Sequence, residues 1–253
     1  MNKRRRMRKS KNALIYILIG VLLTVMLVIF GISVFVRVME IEVTGTTKYT
    51  TGEIIEASGI SSGDNILLLD TAAAENNIKK AMPYIDKVSV RPSLPATIQI
   101  LVSESKAVAT IDHRNTVLLI DPYGKVLDKL DTVPKGLIEV RGFVPLEAEI
   151  GSQVRAMSGG ETQLRSMTDV LSALERAGML SEVSYLDVSN ISTIHFGFTS
   201  RFIVMLGGSA DVVHKLEKLP DVIIRINEEK SDDATGVINM SGSSGTWRFT
   251  EEY

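Results

Sequence analysis

The chain has 253 residues, a formal net charge of −2, 45% apolar and 23% charged residues. That is ordinary globular usage, which excludes wholesale disorder and suits one or two domains. Cysteine is absent and the three histidines are scattered, which excludes disulfides, thiolate catalysis and thiolate metal sites and leaves a histidine zinc site without local support.

Charge is unevenly spread. Residues 1–12 carry seven Lys/Arg and no acid, residues 13–36 carry no charge, and residues 37–253 hold 21 Lys/Arg against 30 Asp/Glu. An acidic main body repels a phosphate backbone, so nucleic acid is not an expected partner. The uncharged run of 24 residues, ALIYILIGVLLTVMLVIFGISVFV, would make a helix of about 36 Å, enough for a hydrocarbon core of about 30 Å. A cleaved signal peptide is the rival reading, but its apolar run is shorter and ends in small residues, which Ile32–Val36 does not offer. The cations before the run place the N-terminus in the cytoplasm and residues 37–253 outside, in a single pass through the cell membrane. The basic run also favours anionic lipid.

After the span, Met39, Ile41 and Val43 alternate with Glu40 and Glu42, which predicts a half-buried strand over 38–43. Thr50-x-x-Glu53 is a capping box for a short helix over 51–58 that Gly59 stops. Ile66–Leu69 is expected to pack the connection. Asp70 is the expected N-cap of a second helix ending at Ala81, with Ile78, Ala81 and Met82 on one face. Strands over 87–91 and 97–103 follow, each alternating, on either side of the turn Pro92–Pro95. The order strand, helix, helix, strand, strand predicts a three-stranded sheet covered on one side by two helices.

Farther along, strands are expected over 108–111, 117–120, 126–130 and 137–140. Ser158-x-x-Glu161 reads as a capping box before a helix with Leu164, Met167, Leu171 and Leu174 on its apolar stripe and Gly178 at its end. Strands over 183–188, 193–198 and 201–206 come next. Ser209 is the expected cap of a helix carrying Val212, Leu216 and Leu219, with Pro220 at its end.

Several motifs invite chemistry. Ser103-x-x-Lys106 matches the S-x-x-K of penicillin-binding enzymes, but it ends a strand and lacks the partner motifs. Glu228, Glu229, Asp232 and Asp233 could bind a cation, though such a run more often forms a solvated loop. Gly159-Gly160 before a helix could cradle an anion or simply loosen its entry. Gly242–Gly245 lacks the lysine of a phosphate loop and reads as a turn. His195 lies in an alternating strand. No catalytic residue, metal site or cofactor is assigned. Trp247 and Phe249 alternate near the C-terminus, where they either pack on the distal domain or flank a strand edge that binds a partner.

The pattern Ile41-x-Val43-x-Gly45, Gly63-x-Asn65-Ile66-Leu67-x-x-Asp70, Pro83-Tyr84-Ile85-x-x-Val88-x-Val90, Pro95-x-x-Ile98-x-Ile100-x-Val102-x-Glu104 resembles the POTRA domain of the bacterial FtsQ/DivIB cell-division family. The basic tail and single anchor before it strengthen the likeness. Ile120-Asp121-x-x-Gly124-x-Val126 and Val204-x-Leu206-Gly207 extend it into the distal half. The chain departs from the family at Ser105-Lys106-Ala107, where Arg-x-Pro is usual, and at Asn239, where an aspartate is common. The resemblance implies a single transmembrane helix followed by two α+β domains: a POTRA domain (β-α-α-β-β) and a distal domain of mixed β-sheet with helices. The corresponding segments are a tail (1–12), a span (13–36), a POTRA domain (37–105), a distal domain (106–241) and a C-terminal segment (242–253). It further implies a non-enzymatic scaffold at the division septum. Its partners would be single-pass proteins of the FtsB/DivIC and FtsL types and, through them, the septal peptidoglycan synthase. The POTRA domain would dock another division protein. Mapped onto this chain, the partner-binding residues are Ile238, Met240, Trp247 and Phe249. Two other readings stay open: an external cell-wall-modifying enzyme and a POTRA-bearing translocation component.

Overall fold

A computed structural model describes residues 11–242 and 246–251, with side chains described over 15–31 and from 36 onward. The basic tail through Ser10, most of the Gly242–Gly245 turn and the last two residues lie outside the described residues. The chain divides into two compact units, Met1–Ile78 with Lys87–Ser103 and Lys79–Asp86 with Glu104–Tyr253.

In the first unit, helix α1 runs Lys11–Phe35. Residues 15–30 are all exposed. Among the described residues no helix is long and apolar enough to cross a membrane. Strand β1 (Glu40–Thr44) alternates as its sequence predicts, with Ile41 and Val43 half-buried between exposed Glu40, Glu42 and Thr44. Met39 does not share that inward face: it precedes the strand and is 81% exposed. Val38 turns inward instead, because its N–H donates to the Asp64 carbonyl and its carbonyl accepts from the Gly63 N–H.

Helix α2 (Thr51–Ser58) carries the full capping box, the Thr50 hydroxyl accepting from the Glu53 N–H and the Glu53 carboxylate from the Thr50 N–H. Gly59 ends it with φ 71°, the left-handed conformation that favours glycine. Helix α3 (Thr71–Ala81) begins where the Asp70 carboxylate accepts the Ala73 N–H at 2.9 Å. Its buried stripe is Ala74 and Ile78, continued by Met82, at a spacing of four; Ala81, expected on this face, is exposed. Ile66–Leu69 divides too. Ile66 is buried, while Leu67 is 52% and Leu68 76% exposed, because they lie on a tight turn that cannot bury successive side chains.

Strands β2 (Ile85–Ser93) and β3 (Thr97–Glu104) complete a sheet in the order β1-β3-β2, with β1 parallel to β3. Val88, Val90, Ile98, Ile100 and Val102 are buried, as their alternation predicts. Gly45 has φ 91°, and a Cβ there would collide with the Val102 carbonyl, so only glycine lets the chain leave β1 so close to β3.

The second unit is a nine-stranded mixed sheet with two long helices. Strands β4 (Ala109–His113), β5 (Thr116–Ile120), β6 (Val126–Leu130) and β7 (Ile138–Arg141) sit close to the expected segments. The short pair β8 (Pro145–Glu147) and β9 (Arg155–Ala156) has no sequence expectation behind it. Helix α4 (Glu161–Ala177) buries Met167, Val170, Leu171 and Leu174 and stops at Gly178. Its N-cap is Gly160 without a side-chain cap, not Ser158; the Glu161 carboxylate accepts the Gly159 N–H at 3.1 Å. A single 3-10 turn (Leu180–Glu182) leads into β10 (Val183–Asp187), β11 (Ile194–Phe198) and β12 (Phe202–Gly207).

Helix α5 (Val212–Glu229) departs most from expectation. Asp211, with φ 58°, precedes it, and the Ser209 hydroxyl meets that of Ser166 at 3.4 Å instead of capping. Pro220 lies inside the helix, not at its end. The proline is exposed and removes one N–H, but Val222 and Ile226 continue the buried stripe of Val212, Leu216 and Leu219 past it. Burial on both sides of a proline outweighs one missing helical bond. Strands β13 (Gly236–Asn239) and β14 (Arg248–Glu251) close the chain. The sheet order is β14-β13-β12-β11-β10-β7-β4-β5-β6. Pairs β4/β7, β7/β10 and β12/β13 are parallel and the remaining neighbours antiparallel. One apolar core joins Ile111, Leu118, Ile138, Leu186, Phe196 and Val204 of the sheet to both helices.

Candidate partner-binding edge

Among the described residues, the sheet order gives β14 a neighbour on one side only. Such a strand offers unpaired N–H and C=O groups to another chain. Its register on β13 pairs Gly236 with Glu251, Val237 with Thr250, Ile238 with Phe249 and Asn239 with Arg248. A Cβ on Gly236 would collide with the Thr250 carbonyl, so glycine at this position permits the close approach. The Lys230 ammonium meets the Glu251 carboxylate at 3.4 Å, tying the end of α5 to the strand. At the other end of β13 the Asn239 side-chain oxygen accepts from the Ser241 N–H at 2.9 Å and hydroxyl at 2.7 Å. The residue that stands where the family commonly has aspartate therefore still closes an Asx turn.

The four residues assigned from the sequence divide by depth. Ile238, on β13, and Met240, just beyond it, are buried in the core. The Met240 N–H donates to the Met205 carbonyl at 2.8 Å. These two lie on and just past the strand next to β14 and offer no side-chain surface. Trp247 and Phe249 are half-buried against the same core. Phe249 meets Phe202 edge to face, with ring centroids 6.2 Å apart, and the Arg201 guanidinium lies 4.7 Å from the Phe202 centroid. Trp247 lies one residue before β14 and lines a shallow hollow of about 230 Å³ with Lys218, Asp221, Val222 and Arg225. Arg248 and Thr250 alternate with the aromatics and are exposed. The edge thus combines an open ladder, two aromatic rims and an outward cation. That arrangement suits addition of an extended segment, with main-chain bonds for affinity and the hollow for selectivity.

The groups that looked chemical are committed elsewhere. Asp121 is 2% exposed. Its carboxylate accepts from the Tyr123 and Lys125 N–H groups, both at 2.9 Å, and from the Ser105 hydroxyl at 2.7 Å. That is a turn-building acid. The Lys125 ammonium donates to the Ile85 carbonyl at 2.8 Å, and burial holds its pKa below the ordinary lysine range. Ser103 stays within β3. Glu228 and Glu229 end α5 and do not enter a loop. Among the described residues no group of His, Asp and Glu could hold a metal ion. The Gly159 N–H is already taken by Glu161, and the His195 Nδ1 lies 3.1 Å from the Thr193 carbonyl.

Residues 36–105 match the family model of the POTRA domain, FtsQ-type. A cell division protein FtsQ of Corynebacterium glutamicum is 30% identical over 165 residues, 64% of this chain and 73% of that protein. A cell division protein DivIB of Clostridium acetobutylicum is 28% identical over 208 residues, 82% of this chain and 80% of that protein. The solved extracytoplasmic domain of DivIB from Geobacillus stearothermophilus covers 50% of this chain and 97% of its own at 13% identity and a TM-score of 0.32. On the POTRA match and the two division-protein relatives, this chain belongs to the FtsQ/DivIB family.

Proposed function

We propose that this chain is a non-enzymatic, membrane-anchored scaffold of the bacterial division machinery. It would bind FtsB/DivIC-type and FtsL-type proteins outside the membrane and through them align the septal peptidoglycan synthase. The relatives carry the name cell division protein, which supports the setting. The observation that carries the binding reading is the open edge of β14 with Trp247 and Phe249 beside it. The uncharged run of 24 residues over 13–36 supports the anchor: as a helix it would measure about 36 Å at 1.5 Å per residue. In α1, apolar side chains on different faces, such as Leu22, Leu23 and Val25, are exposed, as lipid contact requires. Seven cations before the uncharged run of 13–36 and an acidic body after it support an N-terminus in the cytoplasm, with the larger part outside at the septum. The anchor confines chain and partners to one membrane, so modest edge contacts gain effective concentration.

The direct test is capture of a DivIC-type partner by the external region, comparing wild type with Trp247→Ala and Phe249→Ala. The reading predicts at least about tenfold weaker binding, typical of an aromatic at an interface centre. Unchanged binding in variants with native circular dichroism rejects the edge assignment.

A further inference from the structure

We propose that Leu67 and Leu68 form a lipid-contacting tip that enters the outer-leaflet interface beside the exit of α1 and seats the POTRA domain on the bilayer. The proposal rests on the reading of α1 as a membrane span. The tip is zipped to the chain that leaves that helix. Phe35 is the last residue of α1. The Ile66 N–H donates to the carbonyl of Val36, the next residue, at 3.2 Å. Arg37 and Asn65 form an antiparallel bridge. The Val38 N–H donates to the Asp64 carbonyl at 2.9 Å, and the Gly63 N–H to the Val38 carbonyl at 2.8 Å. Consecutive Cα atoms are about 3.8 Å apart, so Leu68 lies within about 8 Å of the Ile66 that touches the helix exit.

The chemistry of the turn suits lipid better than water. Turns favour Gly, Pro, Asn, Asp and Ser, yet this one displays two adjacent leucines, 52% and 76% exposed. Its amides are already satisfied: the Leu67 N–H donates to the Asn65 side-chain oxygen at 3.0 Å and the Leu68 N–H to the Asn65 carbonyl at 3.1 Å. Apolar side chains can therefore enter the interface without exposing those two donors to an apolar phase. The exposed Arg37 guanidinium is held beside the turn by the Gly63 carbonyl at 3.0 Å, placed for lipid phosphate. The two nearby acids are engaged, Asp64 by the Ser61 N–H and Asp70 by the Ala73 N–H. A single membrane helix leaves the domain free to swing; a second apolar contact next to the pivot removes that freedom.

The chain has no cysteine, so single-cysteine variants of the full-length protein report one position each. Leu68→Cys, Val25→Cys in α1 and Asn76→Cys on the exposed side of α3 are labelled with a polarity-sensitive fluorophore. The proteins are reconstituted into phosphatidylcholine–phosphatidylglycerol vesicles containing lipid brominated near the headgroup or near the chain end. The proposal predicts that headgroup-proximal bromine quenches the label at position 68 about threefold or more above that at 76, and that adding Leu67→Asn halves the effect. Equal quenching at 68 and 76, with chain-end bromine quenching position 25, overturns the tip and leaves the span standing. Absence of quenching at 25 overturns the span and the tip with it. A blue shift at 68 without bromine quenching assigns the leucines to a protein contact and overturns the proposal.

Discussion

Asp121 and Glu53 show what acidic residues do in this chain. Asp121 is buried with three donors pointing at it. Asp121→Ala strands those donors, two of them backbone amides, and is expected to cost about 3 kcal/mol in chemical denaturation of the external region. Asp121→Asn keeps one acceptor oxygen and should cost less. Glu53 is exposed, and the Thr50 hydroxyl and then the Thr50 N–H hold its carboxyl below the usual glutamate range. A carboxyl with a depressed pKa in the fold stabilises it above its unfolded pKa of about 4.3 and loses that contribution as pH falls through the folded value. Thermal melts of wild type and Glu53→Gln from pH 7 to 3 should therefore converge toward the acid end; a gap that holds constant would place the charge outside the cap. Both acids were partly legible in the sequence. The Thr50-x-x-Glu53 spacing is a local signal, and Asp121 stands in the stretch Ile120-Asp121-x-x-Gly124 that extends the family resemblance. What could not be read was the Ser105 hydroxyl, because that contact joins residues sixteen positions apart.

At the scale of elements, Pro220 separates local from tertiary information. Sequence rules end a helix at a proline, and here the helix runs nine residues further, to Glu229, because Val222 and Ile226 find the core. Pro220→Ala restores an N–H that can reach the Leu216 carbonyl. We expect a gain of about 1 kcal/mol in urea unfolding, less than the intrinsic helix penalty because the unfolded chain also regains freedom. A loss would mean that α5 is shaped around the proline. A strand with strict alternation, such as 97–103, was legible since one face meets the core. The pair β8 and β9 was not, with three and two residues and too little periodicity to detect. The caps at Ser158 and Ser209 failed because a serine two or three residues upstream of a helix satisfies the pattern without the geometry. Leu67 and Leu68 looked like packing residues because composition does not distinguish a turn's outside from its inside.

For the whole molecule, strand order decides where function resides. Neither the pairing of β10 with β7 nor the terminal position of β14 follows from local sequence, since both depend on contacts between distant segments. Of the four residues assigned to the proposed site from the sequence, Trp247 and Phe249 flank the edge, whereas Ile238 and Met240 are buried on and just past the neighbouring strand. A full-length chain in a lipid nanodisc gives the most direct test of a scaffold that receives a partner strand on β14. Amide hydrogen exchange across residues 246–251 is measured with and without a DivIC-type partner. The account predicts that amides of Arg248–Glu251 that exchange freely in the unbound chain become about tenfold or more slower on binding, with β6 at the opposite edge unchanged. Tight binding that leaves exchange in β14 unaltered would contradict it.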